Sequence, residues 1–194
     1  MKEWISEAEL RRFYWLLSAR MTDFDCGTLC APANHGIPCC CDQKLTLPIL
    51  YANEYRWQRR KSGFWRRTRP LDPEEEKVIG DLDAFYVAAK CAGLARCRRS
   101  RRALVCRMFP FEPHLDDKGG VLGITYQYEA ADRCPLVGRR ASAYNPAYIR
   151  NSVMFWQEIL CLLPREREMY RRESRKLRRR FKRAGKRVQV FRQA

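Results

Sequence analysis

Five of the chain's ten cysteines fall within the 16 residues from Cys26 to Cys41, and that crowding constrains the fold more than any other feature. Cys26 and Cys30 are followed by eight residues and then by Cys39-Cys40-Cys41, with Gly27, Pro32, Gly36 and Pro38 among them. Residues 21–44 therefore read as a loop, able to bring thiolates together without helical geometry. Such a loop leaves backbone N–H groups free to hydrogen-bond ligand sulfurs. Thiolate is a soft donor, and sets of four suit zinc or an iron–sulfur cluster far better than magnesium or calcium. The competing reading is a set of buried, inert thiols. It is weakest for Cys39, Cys40 and Cys41, because three adjacent side chains do not easily all face one apolar core.

The compartment bears on that choice. Residues 1–20 mix Lys2, Glu3, Glu7, Glu9, Arg11 and Arg12 into their apolar positions, so no secretory core is expected. No run of about 18 uncharged apolar residues appears, so no transmembrane helix is expected either. The expected location is cytoplasmic. In a reducing cytosol, clustered cysteines serve as metal ligands or redox groups more often than as disulfides.

Four further cysteines, Cys91, Cys97, Cys106 and Cys134, extend the candidate ligand set to Cys26, Cys30, Cys39, Cys40, Cys41, Cys91, Cys97, Cys106 and Cys134. More thiols exist than one four-coordinate site needs, so two sites, or one cluster plus reactive thiols, both fit. Cys161 lies in the apolar run 159–163 and is expected in the core. Of the two histidines, His35 sits inside the cysteine loop, either as a ligand or as an exposed loop residue. His114 receives no role. Arg98, Arg99, Arg101, Arg102 and Arg107 either offset thiolate charge and lower thiol pKa values or form a solvated patch.

Local signals place the elements. Ser6 and Glu9 form a capping box ahead of the apolar stripe Leu10, Phe13, Tyr14 and Leu17, a first helix expected to end near Arg20. A second helix is expected from about Pro48 to Lys61, stopped by Gly63. Asp72-Pro73 followed by three glutamates starts a short helix. Residues 85–89 read as a strand in preference to a continuation of that helix, 121–128 read as a strand, and 90–120 as irregular. Asn145-Pro146 opens a helix whose buried face uses Ile149, Val153, Trp156, Leu160 and Leu163. The expected fold is α+β, mostly helical and irregular: a small metal-knotted single domain with a short strand or hairpin and a basic C-terminal helix.

Charge divides the chain unevenly. Residues 165–194 carry fourteen basic and three acidic residues, a net of +11, which leaves +6 of the total +17 on residues 1–164. The expected division is a cysteine-cluster domain, 1–164, and a basic helical tail, 165–194, hinged at Pro164. Arginine at this density binds phosphates by counterion release with little sequence information. Nucleic acid or another polyanion is thus a candidate partner. An anionic membrane is a second, although Tyr170, Leu177 and Phe181 offer a narrow apolar face. A solvated helical extension is the third.

The order of the cysteines resembles the YkgJ-like zinc- or iron-chelating cysteine-cluster family, to which the flagellin lysine N-methylases are related. Cys26, Cys30 and Cys39-Cys40 look like its N-terminal cluster, and Cys91-Ala92-Gly93-Leu94 with Cys97 like its middle segment. Residues 102–111, with Cys106-Arg107 and Phe109-Pro110-Phe111, look like its box, and Cys134-Pro135 like its last segment. The first cluster here is wider, and Ala103 stands where the family has proline. The resemblance covers residues 23–140. It implies a metal centre, a [4Fe–4S] cluster or zinc, and by its methylase relatives S-adenosylmethionine and a protein substrate.

Three functions therefore compete: a cysteine-cluster metal-binding protein, with or without protein-modifying activity; a nucleic-acid-binding protein with structural zinc; and a thiol-redox protein using vicinal cysteines. No serine–histidine–aspartate arrangement exists with two isolated histidines, and Asp116-Asp117 beside Gly119-Gly120 reads as a surface turn.

Overall fold

The computed structural model describes residues 4–70 and 72–192. They form an α+β structure, about half of it helix and the rest small antiparallel sheets and irregular segments. The described residues divide into two units. One, the cysteine-rich unit, comprises residues 4–12 and 27–107; the other, the hairpin unit, comprises 13–26 and 108–192. The basic residues after Pro164 fall within the hairpin unit, together with 108–164.

Helix α1 (Glu7–Leu16) starts as its capping box dictates. The Ser6 N–H donates to the Glu9 carboxylate at 2.7 Å, and the Glu9 N–H donates back to the Ser6 hydroxyl at 3.3 Å. It ends four residues before the expected Arg20. The cysteine loop is more ordered than expected: α2 (Gly27–Cys30) runs into a 3-10 turn at Ala31–Ala33, and Cys39–Cys41 form a second.

In the cysteine-rich unit, β1 (Ile49–Tyr51) and β2 (Trp65–Arg67) both pair antiparallel with β3 (Tyr86–Cys91), which is the central strand. Pairing of β1 with β3 takes Ile49, Leu50 and Tyr51 into the sheet, so α3 (Ala52–Ser62) starts four residues later than its proline suggests. Gly63 ends α3 in the left-handed region, φ 56°, its N–H bonded to the Arg59 carbonyl. Asp72 caps α4 (Pro73–Gly80) by accepting the Glu75 N–H at 2.8 Å. The core of this unit is Leu50, Tyr55, Phe64, Trp65, Val87, Ala89 and Ala103. Glu54 is buried and accepts the Leu104 N–H at 2.7 Å, which holds the start of α5 (Leu104–Met108) against α3. Residues 90–120, expected to be irregular, thus contain a helix and, further on, a strand.

In the hairpin unit, β4 (Phe111–Leu115) and β5 (Val121–Tyr126) form an antiparallel pair. Their turn is organised by Asp116, whose carboxylate accepts the N–H groups of Lys118 and Gly120, each at 2.8 Å. Phe111, Tyr126, Tyr144 and Phe191 pack ring against ring, with centroids 5.1–5.3 Å apart for Phe111–Tyr126, Phe111–Tyr144 and Phe111–Phe191. Asn145 caps α6 (Pro146–Leu162), which buries Ile149, Val153, Trp156 and Leu160 as its periodicity predicts. Cys161 does not join them: it is exposed. At 100° per residue it lies roughly 110° around α6 from the centre of that stripe, so an apolar run misleads where periodicity does not.

After Leu163, α7 (Pro164–Arg183) lies along the hairpin. Ser174 is buried, its hydroxyl accepting the Leu115 N–H at 3.0 Å, and the Arg178 guanidinium donates to the Leu115 carbonyl. Leu177 is buried, Phe181 is half-buried, and Tyr170 packs on Trp156 at 5.0 Å. No helix among the described residues is long and apolar enough to cross a membrane.

Two stability predictions follow from this packing. A Cβ at Gly123 would run into the Phe191 carbonyl and stand 2.9 Å from Val190 Cγ1, where Ile124 and Phe191 exchange backbone hydrogen bonds of 2.9 and 2.8 Å. Gly123→Ala is expected to cost about 2 kcal/mol or more and to speed amide exchange at Ile124 and Phe191. His114 is buried beside Arg178, and burial first, then that guanidinium, pushes its pKa down to about 4. The folded chain resists a proton that the unfolded chain takes up near pH 6.5. Stability contributed by His114 is therefore intact above that pH and lost on descent towards 4. In thermal melts, His114→Gln should lose less than the parent across that interval.

Candidate metal centre

Seven of the nine candidate ligands lie in the cysteine-rich unit; Cys26 and Cys134 lie in the hairpin unit. The seven arrive by different routes. Cys30 closes α2, and its Sγ accepts the Cys39 N–H at 3.4 Å while lying 3.7 Å from the Gly27 carbonyl. This is the backbone-to-sulfur hydrogen bonding expected of a proline- and glycine-rich loop. Asn34 clasps the same loop: its side-chain amide donates to the Ile37 carbonyl at 2.9 Å and to the Asp42 carboxylate at 3.1 Å. The clasp presents the 3-10 turn Cys39–Cys41, in which the Cys40 and Cys41 sulfurs are 3.9 Å apart. Cys40 is exposed and Cys41 half-buried.

Strand β3 supplies Cys91 at its last position, Cys97 follows the 3-10 turn Leu94–Arg96, and Cys106 comes from α5. All three pack against the apolar core of the unit. Gln43, just after the cysteine turn, reaches across to Cys91: its amide donates to the Cys91 carbonyl at 2.8 Å and lies 3.5 Å from its Sγ. That bond ties the loop to the end of the central strand. No feature of the sequence marks Gln43 for the task, since a polar residue after a loop is ordinary.

The electrostatics show which thiols influence one another. Burial pushes the Cys106 pKa up to about 12, and Cys41, Cys91, Glu54 and Cys97 add negative charge in the same direction. Burial also raises Cys39, with Cys30 the next contributor. Burial works against the charge on Arg102, yet its pKa is raised, by a hydrogen bond to Cys97 and by the charges of Cys41 and Cys40. Arg102 thus supplies the compensating cation within the arginine-rich segment. Arg107 does something else: it is buried, with Nε donating to the Arg102 carbonyl at 2.9 Å and Nη2 to the Arg99 carbonyl at 2.7 Å. It braces the segment that carries Cys97.

Cys134 lies near Tyr126 and Tyr144, whose pKa values burial raises first and the Cys134 charge raises further. His35 is exposed and left-handed, φ 52°. Among the described residues, no three histidine, cysteine, aspartate or glutamate side chains stand close enough to hold a metal ion. The donor set fits a soft metal in kind. The separations do not form a coordination sphere. No family model, curated protein or solved structure matches the chain.

The thiols should differ sharply in reactivity, since the thiolate is the nucleophile. In timed alkylation with iodoacetamide at pH 8, read by peptide mass spectrometry, exposed Cys40 and Cys161 should label first. Cys106 should stay unlabelled until the chain is denatured.

Proposed function

We propose that this chain is a cysteine-cluster metal-binding protein, with a soft-metal site assembled in the cysteine-rich unit from Cys40, Cys41, Cys91, Cys97 and Cys106. One observation carries the reading: thiols from the cysteine turn, from β3, from the following 3-10 turn and from α5 fall within electrostatic reach of one another, with Arg102 beside them. The order of Cys91, Cys97 and Cys106-Arg107, on which the resemblance to the YkgJ-like family rests, supports the same residues. Cys26 and Cys134 are not needed for it.

A metal would supply what the proton supplies now. Cys106 keeps its proton to about pH 12 because a lone thiolate is too costly among its neighbours. A dication or cluster replaces that proton with positive charge, so binding should release protons and strengthen with pH. Zinc–sulfur bonds of about 2.3 Å require the sulfurs to draw together. The Cys39–Cys41 turn, anchored by the Asn34–Asp42 clasp and by Gln43, already holds two of these sulfurs 3.9 Å apart.

The test is elemental and sulfide analysis with visible absorption of anaerobically isolated protein. Stoichiometric zinc without colour supports a zinc site; iron with matching sulfide and broad visible absorption supports a cluster. Cys97→Ser and Cys106→Ser should each lower metal content or affinity at least tenfold, and Cys161→Ser should leave both unchanged. Metal-free protein whose thermal melt ignores chelator sinks the proposal.

A further inference from the structure

The hairpin unit holds a groove of about 570 Å³ that cysteine chemistry does not use. Its lining comes from three places: Glu112 on β4, Tyr128 and Glu129 in the turn after β5, and α7, which contributes the Glu173–Lys176 ion pair and Leu177 and then Arg179, Arg180 and Arg183.

The charges on α7 separate into two classes. Between Glu168 and Arg178 the cations are engaged: Glu168 holds Arg171 at 2.7 Å and Arg172 at 2.9 Å, and Glu173 holds Lys176 at 2.7 Å. Asp117 of the hairpin turn takes Arg175 at 3.4 Å and Arg178 at 2.7 Å. Beyond Glu173 the chain has no acidic residue. Arg179, Lys182, Arg183, Lys186 and Arg187 are all exposed. Those five form no ion pair among the described residues. Two of them, Arg179 and Arg183, line the groove, and Lys186 and Arg187 follow the end of α7.

Beside this charge sits an aromatic surface. Tyr128 is 47% exposed, and the Arg180 guanidinium lies over its ring, 3.9 Å from the centroid. An exposed tyrosine faced by a planar cation is a stacking platform, and every nucleobase has a face that stacks on one. Glu112 adds a third element. It is half-buried, and burial, then Glu129 and Glu173, pushes its pKa up to about 8, so at neutral pH its carboxyl can both donate and accept. Such a group suits the amide-like edge of a base, which a duplex hides and a single strand offers. The volume matches a site for one nucleotide-sized moiety.

We propose that the groove binds single-stranded nucleic acid, one base stacking on the Tyr128–Arg180 pair while the phosphates follow Arg179 and Arg183 towards Lys186 and Arg187. Carboxyl groups at the base edge and arginines at the backbone divide the groove as a polar base and its phosphate require. An anionic membrane would need an apolar face beside the cations. Leu177 is buried here, and Tyr128 is the one large apolar side chain exposed in the lining.

Fluorescence anisotropy of the full-length chain with labelled oligonucleotides of about 12 nucleotides tests this. RNA and DNA single strands are compared with the blunt duplex, between about 50 and 200 mM salt. Single strands should bind more tightly than duplex. Tyr128→Leu should weaken single-strand binding roughly tenfold and leave duplex binding unchanged, while Tyr128→Phe keeps the affinity. Arg183→Gln should weaken both and reduce the salt slope by about one. Equal affinity for duplex, indifference to Tyr128→Leu in a variant that melts like the parent, or absence of binding at low salt would each overturn the proposal. So would binding to phosphatidylserine vesicles that excess single strand does not displace.

Discussion

The cysteine-rich unit depends on the position of one strand. Among the described residues, β1 and β2 each pair with β3 alone, so removing β3 would leave neither a partner. Its buried residues Val87, Ala88 and Ala89 lie within the unit, and its last residue is Cys91. The sheet therefore fixes one thiol in place, and the others are brought to it. Gln43 ties the cysteine turn to Cys91, and Glu54 ties the start of α5, and with it Cys106, to α3. Cys91, Cys97 and Cys106 come to one apolar core as a consequence of backbone hydrogen bonds and burial, without forming a coordination sphere.

The same logic explains why the C-terminal charge is not a loose tail. A helix of twenty residues with so few apolar positions has little to bury. Besides Tyr170 on Trp156, it is held by a small number of polar contacts placed around Leu177: Ser174 and Arg178 satisfy the Leu115 N–H and carbonyl, and Asp117 pairs with Arg178. These contacts use up charge only on one stretch of the helix. The rest is left to solvent, and an exposed aromatic, Tyr128, lies within reach of it. Docking and excess charge are thus two uses of one segment.

Much of the local architecture is legible in the residues. Ser6 with Glu9, Asp72 with Pro73, Asn145 with Pro146, and Gly63 each mark a helix end where one is found, because capping is decided by a side chain and the few backbone groups next to it. The strand at 121–126 is legible for the same reason, from its β-branched and aromatic content. Failures occur where a distant partner decides. Ile49–Tyr51 reads as the start of a helix and becomes a strand because β3 lies alongside. The segment 111–115 follows Pro110 and contains Pro113, an irregular signal, yet it pairs with β5. Cys161 sits in an apolar run and still faces outward.

The sequence alone determines that this chain carries an excess of soft donors, that they cluster at 26–41 and 91–106, and that the basic charge is massed after residue 164. Those are properties of composition and order, which folding does not change. Which thiols face each other is another matter. Cys41, Cys91, Cys97 and Cys106 are separated by up to 65 positions, and only the pairing of strands and the burial of Glu54 bring them within one electrostatic neighbourhood. Cys134, as well placed in the sequence, goes instead to Tyr126 and Tyr144. Likewise the arginines are fixed by the chain, but which of them remain unpaired is set by where Asp117 and Tyr128 arrive on the surface of α7. Proximity between residues distant in the chain is a property of tertiary packing, and no local pattern encodes it.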